Sequence, residues 1–278
     1  MTAPADTGTL PIVTAVHTHA DIRTAPRIVV KVGSSSVTGD NVAQIDPLVD
    51  ALVAARERGA EVILVSSGAI ASAIPYLDLD VRVRDAGDLA TQQAAAAVGQ
   101  NVLMWRYQTS LDRYRIVAGQ VLLTAGDLEH PTTRTNARRA MERLLGLGVL
   151  PIVNENDTVA TQEIRFGDND RLAALVAVLV GADVLVLLSD VDALYTRPPS
   201  EPGAERIDRV AHDDDLPGIA FGGIGSAGVG TGGAGTKVAA AKYANAHGVP
   251  ALLAETSRVA DALSGATLGT WFEARAQA

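Results

Sequence analysis

The sequence predicts an α/β protein: a three-layer αβα sandwich around a mainly parallel β-sheet. Three observations carry this. Short β-branched runs alternate with longer segments of helical apolar spacing. Several runs are apolar at consecutive positions rather than at every second one, the pattern of strands covered on both faces. Finally, 47% of the 278 residues are hydrophobic, enough for one large core with helices on either side of the sheet.

The elements follow in order. "RIVVKV" (27–32) reads as a buried strand leading into the loop "GSSSVTGD", and 44–58 as a helix stopped by Gly59. "EVILVSS" (61–67) is a second strand, entering "GAIASAI", and an Ala-rich helix covers about 88–112. "RIVAGQVLLT" (115–124) is a strand, 132–148 a helix ending in glycines, and "VLPIVNEN" (149–156) another strand. "TVATQEIRF" (158–166) has the look of a hairpin. Asp168 to Ala182 is apolar all round, hence a buried helix, with Asp168 suited to its N-cap. "VLVLLSD" (184–190) is a fully buried strand, and 191–236 is loop-rich. A helix over about 236–247, a strand at 249–255, a helix at 258–264 and a strand at 269–274 complete the pattern. Residues 1–25 lack the basic start and long apolar run of a secretory signal and read as a flexible extension, leaving 26–278 as one domain.

Composition narrows the function. A net charge of −9 argues against nucleic acid and anionic membrane surfaces as partners, but a local pocket of opposite sign leaves small anions open. No run of 18 apolar residues is free of charge, so no membrane span is expected. There is no cysteine, which removes disulfides, thiolate catalysis and Cys-based metal sites and suits a cytoplasmic protein. The five histidines, His17, His19, His130, His212 and His247, show no metal-ligand spacing, and His17 and His19 read as solvated. Of 23 basic residues only Lys31, Lys237 and Lys242 are lysine. Under such a bias a retained lysine either reflects chance or is needed as a compact point charge.

In parallel sheets ligands bind beyond the carboxyl ends of the strands. The polar clusters "KVGSSS", "SSGAI", "NEND" and "LSD" all stand there. Polar strand-to-helix loops are common, but four with this content are more than loop chemistry requires. Lys31 ends a run of apolar residues, where an ammonium is tolerated only if it reaches a polar site or lies on an edge strand. The tract "FGGIGSAGVGTGGAGTK" holds eight glycines between Gly222 and Gly235. Its matches to G-x-G-x-x-G arise from glycine density, no apolar strand precedes it, and "GTK" is not a Walker loop. What remains is either a plain surface loop or a glycine loop with Thr236 and Lys237 at a helix start, where amides, helix dipole and ammonium suit a phosphate.

Taken together, these residues resemble the amino acid kinase family, within it the branch that phosphorylates the side-chain carboxylate of L-glutamate. The marks are "VVKVGSSSVTG", "VSSGAIA", "AAVGQ", "GQVLLT", "NARR", "VNENDTVATQEIRFGDNDRLAAL" and "VGTGGAGTK", spread over about 27–273. The resemblance implies the amino acid kinase fold, with a glutamate-binding N-terminal part and a nucleotide-binding part over about 183–278. It implies ATP and Mg²⁺, L-glutamate as acceptor, and L-glutamyl 5-phosphate and ADP as products, the first step of proline biosynthesis. By the same resemblance Lys31 and Lys237 lie on the transferring phosphoryl group, and Asp170 holds both lysines. Ser67, Gly68, Asp157 and Asn169 bind glutamate. Lys31, Ser189, Asp190 and the segment Thr231, Gly232, Gly233, Ala234, Gly235, Thr236 and Lys237 bind ATP. It further implies feedback inhibition by L-proline, γ-glutamyl phosphate reductase as a downstream partner, and a homo-oligomer, dimer or tetramer. Many such proteins continue into a C-terminal PUA domain, and this sequence stops soon after "GTWFEA". The segment 75–87 is hard to align, and "GGAGTK" replaces a commoner "GGMxTK". Two other readings stay open on the sequence: a sister kinase with another carboxylate, carbamate or phosphate acceptor, and a non-catalytic ligand sensor on the same fold.

Overall fold

The computed structural model describes residues 16–80, 83, 88–159, 169–216 and 233–275. Ten strands are found among them: β1 (Arg27–Val32), β2 (Glu61–Ser66), β3 (Ala118–Leu123), β4 (Leu150–Glu155), β5 (Val184–Ser189), β6 (Leu194–Tyr195), β7 (Arg206–Ile207), β8 (Arg209–Val210), β9 (Ala251–Glu255) and β10 (Thr270–Phe272). Eight of them form one sheet in the order β3-β4-β2-β1-β5-β9-β10-β8. β10 runs antiparallel to β9, and every other pairing is parallel. β6 and β7 make a small antiparallel ribbon of their own.

Among the described residues eight α-helices accompany the strands: α1 (Ile45–Glu57), α2 (Ala69–Leu77), α3 (Leu89–Asp112), α4 (Ala125–Glu129), α5 (Pro131–Gly146), α6 (Asn169–Val180), α7 (Ala234–Ala246) and α8 (Val259–Leu263). Successive strand residues face opposite sides, so each strand feeds two cores. Ile28, Val30 and Val32 of β1 pack with Leu48 and Leu52 of α1 and with Leu103 and Tyr107 of α3. Val29 packs on the other side with Leu172 and Val176 of α6 and Ala241 of α7. The mainly parallel three-layer sandwich read from the sequence is therefore the architecture observed. The period of two also sends Lys31 to the same side of the sheet as Val29, toward α6.

Where the structure departs from the sequence reading, the cause is local. β3 starts at Ala118 rather than 115 because Arg115 takes a left-handed conformation (φ 56°) in the turn that closes α3. α7 starts at Ala234, two residues before the expected helix. The loop-rich tract after β5 also contains β6, β7 and β8, strands too short to show any period. Thr158 and Val159 lie in a turn, and the rest of the expected hairpin, like Asp168, falls outside the described residues.

Residues 16–25, read from the sequence as part of a flexible extension, are folded onto the domain. His19–Thr24 forms a 3-10 helix whose Ile22 is fully buried, and Val16 is buried beside it. His17 is exposed as expected, but His19 is not simply solvated. Its Nε2–H donates to the Leu268 carbonyl at 2.8 Å, and its ring lies 5.2 Å from that of Trp271. Burial lowers the His19 pKa, against the opposing pull of that hydrogen bond and of Asp208. Among the described residues no helix is long and apolar enough to cross a membrane.

One contact fixes how α2 and α3 meet. Gly99 of α3 lies so close to α2 that a Cβ there would stand 1.8 Å from the Ala69 carbonyl oxygen and 2.7 Å from its carbon. Backbone cannot yield as a flexible side chain can, so Gly99→Ala should destabilise the fold by about 2–3 kcal/mol, as overpacking does. Gly146→Ala is the matched control, because a Cβ there meets nothing within 4 Å. Urea midpoints at unchanged slope are the measurement. Equal stability of the two variants would show that the helices are free to separate.

Candidate active site

The carboxyl ends of β1, β2, β4 and β5 stand side by side, and the polar clusters of the sequence converge there. Lys31 is the penultimate residue of β1 and only 2% exposed. Asp170, in the first turn of α6, has no exposed surface. Lys237, in the first turn of α7, is also buried. The Lys31 Nζ lies 2.5 Å from Asp170 Oδ1, and the Lys237 Nζ 3.0 Å from Asp170 Oδ2. Thr236 Oγ1 lies 2.8 Å from the Gly233 carbonyl and 3.1 Å from the same Oδ2 and shares its one hydrogen between them, so the entry to α7 is tied to the start of α6.

This triad carries two positive charges and one negative in a place with almost no water. Burying a charge is costly unless it is paired, and here both ammonium groups face the same carboxylate. Two ammonium groups brought to one point suit an anionic group. The amide-rich first turn of α7, next to Lys237, adds the positive end of a helix dipole.

Beside the triad lies a network of amides and hydroxyls. Asn169 Nδ2 is within 2.9 Å of the Ser66 carbonyl and of Ser67 Oγ, and 2.8 Å from Asn154 Oδ1. Asn154 Nδ2 donates to Gln100 Oε1 at 2.8 Å. Ser66 Oγ bonds the Tyr107 hydroxyl at 2.8 Å, and complete burial pushes that phenol's pKa well up, only partly offset by the Ser66 bond. Gly68 opens α2 in a left-handed conformation (φ 101°), where a Cβ would come 2.7 Å from Thr38 Cγ2 and 3.3 Å from Ser34 Oγ. Glycine is required there on both counts.

On the opposite flank, Ser189 ends β5 buried, and its hydroxyl donates to Asp190 Oδ1 at 3.1 Å, while Asp190 is exposed. Thr256 Oγ1 donates to the Ser189 carbonyl at 3.0 Å and so must accept from Ser36 Oγ at 2.8 Å. This hydroxyl chain ties the loop after β1 to the ends of β5 and β9.

Of the residues singled out from the sequence, Lys31, Asp170 and Lys237 come into direct contact, as do Ser67 and Asn169. Thr236, Gly233, Ala234 and Gly235 form the entry to α7. Asp157 is half-buried in the turn after β4. Thr231 and Gly232 lie outside the described residues. Asn154 and Gln100 were not among the candidate residues, although both are buried members of the same network. Among the described residues Ser34 Oγ, Gln100 Nε2 and Asn169 Oδ1 are buried without a hydrogen-bond partner.

Fold and site together define a class: an α/β enzyme that gathers positive charge at the carboxyl ends of a parallel sheet to hold an anionic group. The chain belongs to the amino acid kinase family, whose profile matches residues 26–255. It is 68% identical over 256 residues to the glutamate 5-kinase of Clavibacter sepedonicus, covering 92% of this chain and 97% of that protein. It is 55% identical over 254 residues to the glutamate 5-kinase of Streptomyces coelicolor, covering 90% of this chain and 67% of that one. The carbamate kinase from Giardia lamblia bound to AMP-PNP superposes with a TM-score of 0.66 over 91% of this chain and all of that one. At 14% identity that likeness concerns the fold alone.

The triad makes a direct prediction. Asp170→Asn leaves two ammonium groups buried without their shared counter-charge, so stability should fall by about 3–5 kcal/mol, the usual result of removing one member of a buried ion cluster. Chemical denaturation at pH 7 without ligand measures it. A loss below about 1 kcal/mol would place the lysines in solvent, as for surface pairs.

Proposed function

We propose that this kinase transfers the γ-phosphoryl group of ATP to the side-chain carboxylate of L-glutamate, giving L-glutamyl 5-phosphate and ADP, the first step of proline biosynthesis. The observation that carries the reading is 68% identity to a glutamate 5-kinase across nearly the full length of both chains.

The chemistry asks little of the protein beyond placement and charge. A carboxylate oxygen is already a nucleophile at neutral pH, so no general base is needed. Catalysis reduces to bringing donor and acceptor in line and neutralising the charge on the moving group. We assign Lys31 and Lys237 to that neutralisation, with Asp170 holding both ammonium groups in place. Ser67, Gly68, Asp157 and Asn169 take the glutamate, and the Asp157 carboxylate pairs with its ammonium. Ser189, Asp190 and the segment Thr231 to Lys237 take the nucleotide. Mg²⁺ enters as part of the ATP substrate, held by phosphates and water as is usual for that ion. Among the described residues no group of three potential ligands offers it a protein-built cage, and Asp170 is committed to the lysines.

The surroundings of the reaction follow from the same reading. L-Proline shares the ammonium and α-carboxylate of glutamate, so we expect it to inhibit by competing at the acceptor site. The acyl phosphate product is short-lived in water, which makes γ-glutamyl phosphate reductase the natural consumer, in the cytoplasm where both substrates are found. We expect a homo-oligomer. β3, the edge strand among the described residues, and the exposed Trp105 and Val98, seven residues apart on the outer face of α3, supply a surface for a second copy.

The decisive experiment is glutamate-dependent ADP formation with Mg²⁺, trapping the product as the hydroxamate with hydroxylamine. ATP turnover that needs carbamate or another acceptor instead, or ATP binding without turnover, would overturn the reading. The role of Lys237 is tested by substitution. Lys237→Ala should lower kcat roughly a hundred- to a thousand-fold, about 3–4 kcal/mol, with little change in glutamate KM, because the contact strengthens in the transition state. Lys237→Arg should rescue only partly, since a planar fork replaces a point charge. Full activity of the Arg variant would remove Lys237 from the catalytic residues.

A further inference from the structure

The three amides of Asn169, Asn154 and Gln100 form a relay whose polarity is set by two backbone groups. The Ser66 carbonyl can only accept, so the Asn169 atom 2.9 Å from it is the NH₂. The Glu155 backbone N–H can only donate, so the Asn154 atom 2.9 Å from it is the carbonyl oxygen. It follows that the Asn169 NH₂ donates to Asn154, and the Asn154 NH₂ donates to Gln100 Oε1, each at 2.8 Å. Every amide is therefore oriented without choice.

That orientation leaves one group over at each end. Asn169 Oδ1, an acceptor, and Gln100 Nε2, a donor, are both buried with no hydrogen-bond partner among the described residues. Their residues are 8% and 6% exposed. Buried polar groups are paired in almost all proteins, so two unmade bonds at the ends of a closed relay mark a place where something else makes them. Loose packing is not the cause. Gly99, next to Gln100, is pressed against the Ala69 carbonyl, which fixes the position of α3.

The two ends differ in their distance from the lysines. Asn169 adjoins Asp170 in α6, whereas Gln100 is two hydrogen bonds further along the relay. An acceptor that presents its side-chain carboxylate to Lys31 and Lys237 directs its amino acid head the other way. That head has an ammonium to donate and a carboxylate to accept, which matches the unpaired oxygen of Asn169 and the unpaired NH₂ of Gln100. We propose that Gln100 is a specificity-determining residue of the acceptor site, donating from Nε2 to the α-carboxylate of the amino acid. The inference rests on the glutamate kinase reading above, and deepens it by adding a residue from α3 to the acceptor site.

The test uses two variants and two acceptors. Gln100→Glu keeps an oxygen for the Asn154 NH₂ but replaces the donor with a carboxylate oxygen. Gln100→Met removes both groups without adding charge. The acceptors are L-glutamate and its α-carboxamide, L-isoglutamine, whose side-chain carboxylate is intact. For Gln100→Glu the glutamate KM should rise about ten- to a hundred-fold, with the ATP KM unchanged within about twofold. The preference for glutamate over the α-amide should fall at least about tenfold, because the amide NH₂ can donate to the introduced carboxylate. Gln100→Met should lose the same preference without the charge repulsion. A merely structural role would weaken both acceptors equally and leave their ratio alone. That outcome, or an unchanged glutamate KM in either variant, overturns the proposal. Wild-type enzyme that fails to phosphorylate glutamate overturns the function itself, and is distinguished before any variant is made.

Discussion

One carboxylate with no exposed surface holds two ammonium groups, and much of the molecule is arranged around that fact. A carboxylate with no exposed surface is tolerated where it is paired, and Asp170 has an ammonium group on each oxygen. The lysines come from distant parts of the chain, one from the central strand β1 and one from the start of α7. Closing the triad therefore fixes where α6 begins, how deep β1 runs, and how α7 enters. A buried ion cluster of this kind contributes little stability, since desolvation offsets most of its attraction. It is better understood from where it places two ammonium groups than from the energy it adds.

The two lysines also resolve an apparent contradiction. The whole protein carries −9, an unfavourable field for anionic substrates, yet two ammonium groups meet at the site. Local geometry prevails because a buried charge is far less screened than one on the surface. Arginine serves where the chain needs exposed or half-exposed cations, as in the pairs of Arg113 with Asp50 and Arg27 with Glu61. Lysine is kept where two cations share one carboxylate in a small space, since two planar forks would be far bulkier there. Scarcity alone does not mark function, however. The third lysine, Lys242, is partly exposed and meets Asp215 only at 3.8 Å.

The fold was legible because strands buried on both faces are written as unbroken apolar runs, and β1, β2 and β5 are such runs. The candidate site was legible where a residue broke its own context, as Lys31 does inside "IVVKV". What could not be read depended on register. Gln100, Asn154 and Asn169 are separated by tens of residues and meet only because α3 packs over the end of β2 while β4 pairs beside it. An asparagine after a strand looks like any turn residue until its partners are in place. The buried turn around Ile22 was hidden for another reason. A six-residue 3-10 helix has too few apolar positions to show a period, and its single buried isoleucine lies among polar neighbours.

That turn has a consequence for how the chain is made. Residues 19 and 20 lie against Gly265, where a Cβ would come 2.9 Å from the Ala20 carbonyl oxygen, and His19 is bonded to Leu268. Residues 19–22 thus find their seat only when residues 265–268, far along the chain, have been made. At about 5–20 residues per second the wait is on the order of ten to fifty seconds. During that time Ile22 and the face of α1 next to α8 are uncovered, while the strands of the first half can already pair. The growing chain spends its synthesis as a half-sheet with a greasy seam, and the clasp between its early and late residues is the step that seals it.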